Sequence, residues 1–287
     1  MTSCLQRKPK SRIHLDGRIH PDFSEVEGVL RKQLGDYPGG AAVCVSHGGE
    51  CVVDLWGGSS DASGTPWQRD TMAPSFSTTK GVASTLLHIF ADRGLIDYDA
   101  LVSDYWPEFA QKGKESITVR HVLSHQSGLY HIRQMIDHVD RMLDWEHMVE
   151  AIEQTEPAHQ PGKRTGYHGL TYGFIVGEII QRVSGDKFAD LVQSEIAEPL
   201  GLDGLYIGAP EEELYRAAQM IFPDSTRTLS RTSAARYLEV GAANLSKLLR
   251  RMGMDSDLTS IFDALAPRGI SDFDFGSPES LRVAIPA

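Results

Sequence analysis

Long apolar runs are missing from this sequence: nothing in it approaches the ~20 consecutive apolar residues of a membrane-spanning helix. The basic residues Arg7, Lys8, Lys10 and Arg12 have no apolar segment behind them, so the first residues do not read as a secretory leader. Cysteine is scarce. Cys4, Cys44 and Cys51 are odd in number and none forms a C-x-x-C pair, which argues against a disulfide framework or a thiolate zinc site. The expected compartment is therefore a reducing cytoplasm. Positive charge is also short, 28 Lys and Arg against 39 Asp and Glu, and the net charge is -11. That balance argues against nucleic acid or an anionic membrane surface as the main partner. Among eleven histidines, His121, His125 and His131 share one segment, with His138 and His147 following, but none falls in H-E-x-x-H or another ligand spacing. No metal and no organic cofactor is expected. Internal repeats and low-complexity tracts are absent.

What is present fits a folded protein of 287 residues, enough for one large domain or two medium ones. Phe23, Val26, Val29 and Leu30 recur at helical spacing and predict a helix over 22–34. Two strands, over 39–45 and 51–56, are predicted around a Gly-containing hairpin turn at His47-Gly48-Gly49-Glu50. A loop rich in Gly, Ser and Asp follows over 57–70. Thr118 is a plausible N-cap before Val119, Val122 and Leu123, with Ser127-Gly128 as the stop, and from there to about Leu202 the chain reads as helical. The clearest helix spans 171–183, where Tyr172, Ile175, Val176, Ile179, Ile180 and Val183 form one apolar stripe. A further helix over 187–198 ends at Pro199 and Gly201, and 261–287 lacks clear periodicity. Strands first and helices after them indicate an α/β core interrupted by an all-helical portion.

The stretch Ser75-Phe76-Ser77-Thr78-Thr79-Lys80-Gly81-Val82 carries the chemistry. Ser77 opens a helix that continues through Val82, Leu86, Leu87, Ile89 and Phe90 to Gly94. Positions i and i+3 share a helix face, which brings the Lys80 amine within reach of the Ser77 hydroxyl. A serine becomes nucleophilic when a neighbouring base takes its proton, and a lysine kept neutral by burial is such a base. On spacing alone the pair reads more readily as an ordinary N-terminal serine with an exposed lysine. A second S-x-x-K, Ser184 to Lys187, sits at the polar end of an amphipathic segment with Gly185 after the helix end, and reads as solvated capping residues.

Further motifs decide between these readings. Asp54-Leu55-Trp56-Gly57-Gly58, Ser77-Thr78-Thr79-Lys80-Gly81 and His121-Val122-Leu123-Ser124-His125-Gln126-Ser127-Gly128-Leu129 occur in that order. They are followed by Pro161-Gly162-Lys163-Arg164, Tyr167-His168-Gly169-Leu170-Thr171-Tyr172-Gly173 and Pro199-Leu200-Gly201-Leu202. Together they resemble the serine hydrolases of the class C β-lactamase superfamily, and within it the family VIII carboxylesterases. The resemblance covers most of the chain. It implies an α/β (α+β) fold of the β-lactamase and DD-peptidase type, with an antiparallel sheet flanked by helices. Residues 1–287 would form a single such domain, of which about 98–235 is mainly helical. It also implies Ser77 as the acylated nucleophile, Lys80 as its base and Tyr167 as the proton relay to the leaving group. Without the motif context, Tyr167 would read as a packing tyrosine beside the 171–183 helix. The Ser77 N–H, at a helix start, is a natural oxyanion donor.

Two departures refine the expectation. The lactamases' second motif is Tyr-x-Asn, whereas the third position here is Gly169, so an amide that would recognise a β-lactam is missing. Ester hydrolysis is favoured, with a small-molecule ester of small or medium acyl chain as partner. A β-lactamase or D-amino-acid peptidase is the alternative within the enzyme class. In this superfamily the chain runs on past an Ile-Pro-Ala segment into a helix and further strands, one bearing a third motif and a second oxyanion N–H. The sequence ends at Ile285-Pro286-Ala287, so those strands are expected to be missing and the early hairpin to lack its sheet partners. The chain would then be a fragment of a longer product, or would compensate as a homo-oligomer. A catalytically inactive binding protein is the reading from a different class.

Overall fold

The computed structural model describes residues 13–36, 39–220, 264–270 and 272–286. The basic N-terminal residues, and the part of the expected helical portion over 221–235, lie outside the described residues. The chain divides into two compact units, Met1–Pro74 with Tyr215–Thr228, and Ser75–Leu214 with Leu229–Ala287.

The first unit is an antiparallel sheet with a helix. Its strands are β1 (Leu15–Ile19), β2 (Gly40–His47) and β3 (Glu50–Gly58), in the order β1-β3-β2. The expected hairpin forms, with His47 opposite Glu50 and a two-residue turn whose Gly48 (φ +59°) and Gly49 (φ +86°) are both left-handed. Two successive positive φ angles are what such a turn needs, and glycine meets them without steric cost. Helix α1 (Glu25–Asp36) contributes Leu30 to a core with Val52, Val53 and Leu55, joined by Phe23, Val26, Leu34, Val43 and Val45. β1 has no counterpart in the sequence reading. Only Leu15 and Ile19, its two ends, are apolar, so Leu-Asp-Gly-Arg-Ile shows no alternation to detect; pairing with β3 is what makes it a strand.

The second unit is helical among the described residues. A 3-10 turn, Phe76–Thr78, leads into α2 (Thr79–Asp92), so Ser77 lies in that turn, two residues ahead of the α-helix proper. After α3 (Val102–Tyr105) comes α4 (Val119–Leu123), whose N-cap is Thr118 as expected. Thr118 Oγ1 accepts from the His121 N–H, and His121 Nδ1 accepts from the Thr118 N–H, each at 3.2 Å. This is a capping box with histidine where glutamate usually stands. α4 stops at Leu123, earlier than Ser127-Gly128, as His125 turns left-handed at φ +60°.

α5 (Ile132–Met135) and α6 (Trp145–Gln154) follow, and then the expectation of continuous helix to Leu202 fails. Residues 155–171 contain no helix, because Pro157, Pro161, Gly162, Gly166 and Gly169 remove helical hydrogen bonds or favour other backbone conformations. Tyr167 belongs to this stretch. α7 (Tyr172–Ser184) bears out the expected apolar stripe and exceeds it: every residue from Tyr172 to Ile180 is buried. A helix apolar on all sides belongs at the centre of its core, and α2, α3, α4, α6 and α8 pack around α7. Glu178, the charged exception, accepts from Trp145 Nε1 at 2.8 Å and Arg182 Nε at 2.7 Å. The expected 187–198 helix is α8 (Phe188–Val192), a π-helical turn (Gln193–Ala197) and α9 (Glu198–Leu200), closed by left-handed Gly201. Near the C-terminus α10 (Pro278–Arg282) appears where no periodicity was visible. Its signal was local, Ser277 as N-cap and Pro278 in the first helical position. No helix among the described residues is long and apolar enough to cross a membrane.

Candidate active site

Ser77, Lys80 and Tyr167, singled out from the sequence, meet in the second unit. Ser77 is exposed on the turn ahead of α2, while Lys80, one helical turn on, is 8 % exposed. Lys80 Nζ lies 3.2 Å from Ser77 Oγ. Tyr167 OH donates to the same Oγ at 2.7 Å. The Lys80 ammonium stands over the Tyr167 ring at 5.3 Å from its centroid. A hydroxyl open to solvent and within reach of an amine that can take its proton when neutral is the arrangement a nucleophilic serine needs.

Burial lowers the Lys80 pKa to about 8. At pH 7 roughly one molecule in ten would hold the amine neutral. Its second partner is the backbone: Nζ donates to the Gly169 carbonyl at 2.6 Å. One N–H is thereby committed to the backbone, and Nζ is held beside Ser77. The sequence reading treated Gly169 only as a missing amide. Its carbonyl supplies an acceptor to the lysine that no side-chain motif could reveal. A Cβ at position 169 would run into the Leu265 side chain and the Ala264 carbonyl, so glycine is the residue that fits.

Two histidines set the turn that carries these groups. His168 is fully buried, and its Nδ1 lies 2.7 Å from the Gly166 carbonyl, so that nitrogen carries the proton and donates. Nε2 then accepts, from Ser127 Oγ at 2.6 Å and from the Leu129 N–H at 3.2 Å. Burial, with the neighbouring His125, pushes His168 well below its ordinary pKa and keeps it neutral. The His168 N–H donates to His125 Nδ1 at 3.2 Å. His125 packs its ring against Tyr167 and Tyr172, with centroids 5.2 and 4.9 Å apart. Burial first, then the charge of Lys80, brings its pKa down to about 4. Both rings are therefore uncharged at neutral pH, and neither competes with Lys80 for the role of cation. The sequence analysis weighed His125 only as an improbable metal ligand and gave His168 no role beyond its place in a motif. Among the described residues no group of three or more His, Cys, Asp or Glu side chains is placed to hold a metal ion.

The residue before the nucleophile is strained. Phe76 has φ +49°, a left-handed conformation that a bulky side chain adopts rarely and at a cost. Strain of this kind concentrates at functional sites. Phe76 meets Phe275 edge to face at 5.5 Å, and Phe275 meets Phe273 at 4.8 Å, giving an aromatic group beside the serine turn. Phe76 itself is 45 % exposed.

Comparison with known proteins finds relatives named as an esterase/beta-lactamase and as a carboxylesterase. The esterase/beta-lactamase LipL of Mycobacterium tuberculosis is 41% identical over 223 residues, covering 75% of this chain and 50% of LipL. A solved family VIII carboxylesterase is 39% identical with a TM-score of 0.68, over 73% of this chain and 58% of that one. A penicillin-binding protein homologue from Caulobacter crescentus is 33% identical with a TM-score of 0.76, over 95% of this chain and 66% of that one. The chain spans about half the length of the curated relatives it matches. Residues 30–260 match the family described as Beta-lactamase, and the chain belongs to that family.

Proposed function

We propose that the protein is a serine hydrolase, a carboxylesterase of small or medium acyl esters working through an acyl-serine intermediate. The observation that carries this reading is the convergence of Lys80 Nζ and Tyr167 OH on Ser77 Oγ, at 3.2 and 2.7 Å. In acylation, Ser77 Oγ attacks the ester carbonyl and its proton passes into the Lys80 and Tyr167 pair. Tyr167, in hydrogen-bond contact with Oγ and beside Lys80, delivers a proton to the departing alkoxide. Water then attacks acyl-Ser77 under the same pair, and the acid leaves. Ser77 lies in the first turn of its helical segment, where N–H groups lack intrahelical partners, so its N–H is an oxyanion donor.

Ester rather than β-lactam substrates are favoured by Gly169, which lacks the amide side chain that the lactamase motif carries at this position. The exposed Phe76, with Phe275 and Phe273 behind it, favours an apolar group beside the scissile bond. The printed names of LipL and of the family VIII structure point to esterases. The β-lactamase or D-amino-acid peptidase reading rests on the LipL name, which includes beta-lactamase, and on the penicillin-binding protein homologue. Side-by-side hydrolysis of a short-chain nitrophenyl ester and a chromogenic cephalosporin separates the two. The proposal predicts turnover of the ester and little of the cephalosporin; the reverse preference overturns it.

A further inference from the structure

Far in sequence from Ser77, strands β2 and β3 hold two thiols next to each other. Cys44 Sγ and Cys51 Sγ are 3.8 Å apart. Their spacing in the chain carries no pairing signal; the hairpin creates the pair. Ser46 stands opposite Cys51, and Cys44 is two residues from Ser46 on the same face of β2, so the cysteines are diagonal neighbours. Val43, Val45 and Val53 point the other way, into the core, which leaves the cysteines on the outer face. A bulge between Val45 and Ser46, with Val52 as the extra residue on β3, interrupts the ladder between the two cysteines and frees them from the regular diagonal spacing. Cys44 is exposed and Cys51 half-buried, and both are free thiols.

Their hydrogen bonds have a direction. Cys51 Sγ donates to the Val53 carbonyl at 3.3 Å, which leaves its sulfur to accept from the Cys44 thiol. That bond is the main reason the Cys44 pKa is raised; burial, Cys51 and Asp54 add to it, and Arg18 opposes it. Oxidation through Cys44 is therefore slow at neutral pH and accelerates with alkali, since the thiolate is the reacting species.

We propose that Cys44 and Cys51 form a reversible redox modification site, a dithiol that a small-molecule disulfide such as oxidised glutathione converts into a Cys44–Cys51 disulfide. The exposed Cys44 thiolate attacks one sulfur of glutathione disulfide. That S–S bond breaks, one glutathione thiolate leaves, and it takes up the proton lost by Cys44. Cys51 thiolate next attacks the Cys44 sulfur of the mixed disulfide and expels the second glutathione, which takes the proton from Cys51. Two protein thiols are oxidised by two electrons, and one glutathione disulfide is reduced to two thiols. Closing the bond requires the sulfurs to approach by about 1.8 Å, to the ~2.05 Å of a disulfide. The product ties the central strand β3 to β2. In a reducing compartment the pair rests as thiols and responds to oxidation, as intracellular disulfides typically do.

The test uses the full chain with Cys4→Ser, which leaves only this pair, and reads thiols rather than hydrolysis. The folded protein is incubated with oxidised glutathione at mildly alkaline pH, denatured, alkylated and weighed, with peptide mapping of both cysteines. The expected result is loss of both alkylatable thiols without a retained glutathione, reversal by dithiothreitol, and no such closure in Cys44→Ser. A stable glutathione adduct on Cys44 with Cys51 still alkylatable overturns the proposal, as does survival of both thiols. The same samples assayed for ester hydrolysis report on the hydrolase reading separately.

Discussion

The Gly169 carbonyl binds Lys80 Nζ at 2.6 Å, closer than the 3.2 Å from the same Nζ to Ser77 Oγ. The lysine is held first by the backbone of the turn that bears Tyr167, and only then by Ser77. Gly169→Ala places a methyl against Leu265 and the Ala264 carbonyl, which must shift. Overpacking of this sort costs about 1–3 kcal/mol. A lowered melting temperature together with reduced ester hydrolysis is expected; thermal unfolding and a nitrophenyl ester assay check it. Gly169→Asn meets the same obstruction and should not confer cephalosporin hydrolysis.

Lys80 works as a base only when neutral, and burial places its pKa at about 8. The free-enzyme rate, kcat/KM, should therefore rise with pH and level off above a midpoint near 8. Stability should follow the same direction. The unfolded lysine binds its proton up to its ordinary value of 10.5, so this group adds stability as pH rises from about 8 toward 10.5. A kcat/KM profile that is flat from pH 6 to 9 would remove Lys80 from the proton path.

Tyr167→Phe deletes one hydroxyl and keeps the ring that packs on His125. General acid–base contributions are typically 10²–10⁴-fold, so kcat should fall by about that factor while the melting temperature barely moves. Wild-type turnover in Tyr167→Phe would return Tyr167 to a packing role.

His168 is the buried tie of the site. Removing it in His168→Ala leaves Ser127 Oγ, the Leu129 N–H and the Gly166 carbonyl without this partner, and opens a cavity. A loss of about 2–4 kcal/mol is expected from denaturant unfolding. For the wild type, acid should act through His125. Its pKa falls from 6.5 unfolded to about 4 folded, so the stability it supports is complete above 6.5 and is lost as pH drops toward 4. Urea midpoints measured across that range in wild type and His125→Gln test this, with the shallower slope in the variant.

Periodicity and turn chemistry made much of the fold legible: α7, the β2–β3 hairpin and the Thr118 cap lie close to where residue pattern places them. β1 was hidden because two apolar residues at the ends of a five-residue strand carry no alternation. The 155–171 stretch departs from the helix expected there, since its prolines and glycines oppose one while the flanking segments are helical. At the candidate site, motif order singles out Ser77, Lys80 and Tyr167, and the fold brings the three side chains together. The Gly169 carbonyl and the His168 tie were not, since a backbone acceptor has no side-chain signature and a buried histidine looks like an exposed one in sequence. The Cys44–Cys51 contact escaped for a related reason: eight residues of hairpin with a bulge determine it, and cysteine spacing does not.

The central claim is that Ser77 is an activated nucleophile. Its most direct test is the intact mass of the folded chain after exposure to a fluorophosphonate probe, with Ser77→Ala alongside. The account predicts one phosphonyl adduct on the wild-type chain, located at Ser77, and none on the variant. An unmodified mass in a demonstrably folded wild-type sample, or equal labelling of both proteins, would contradict it.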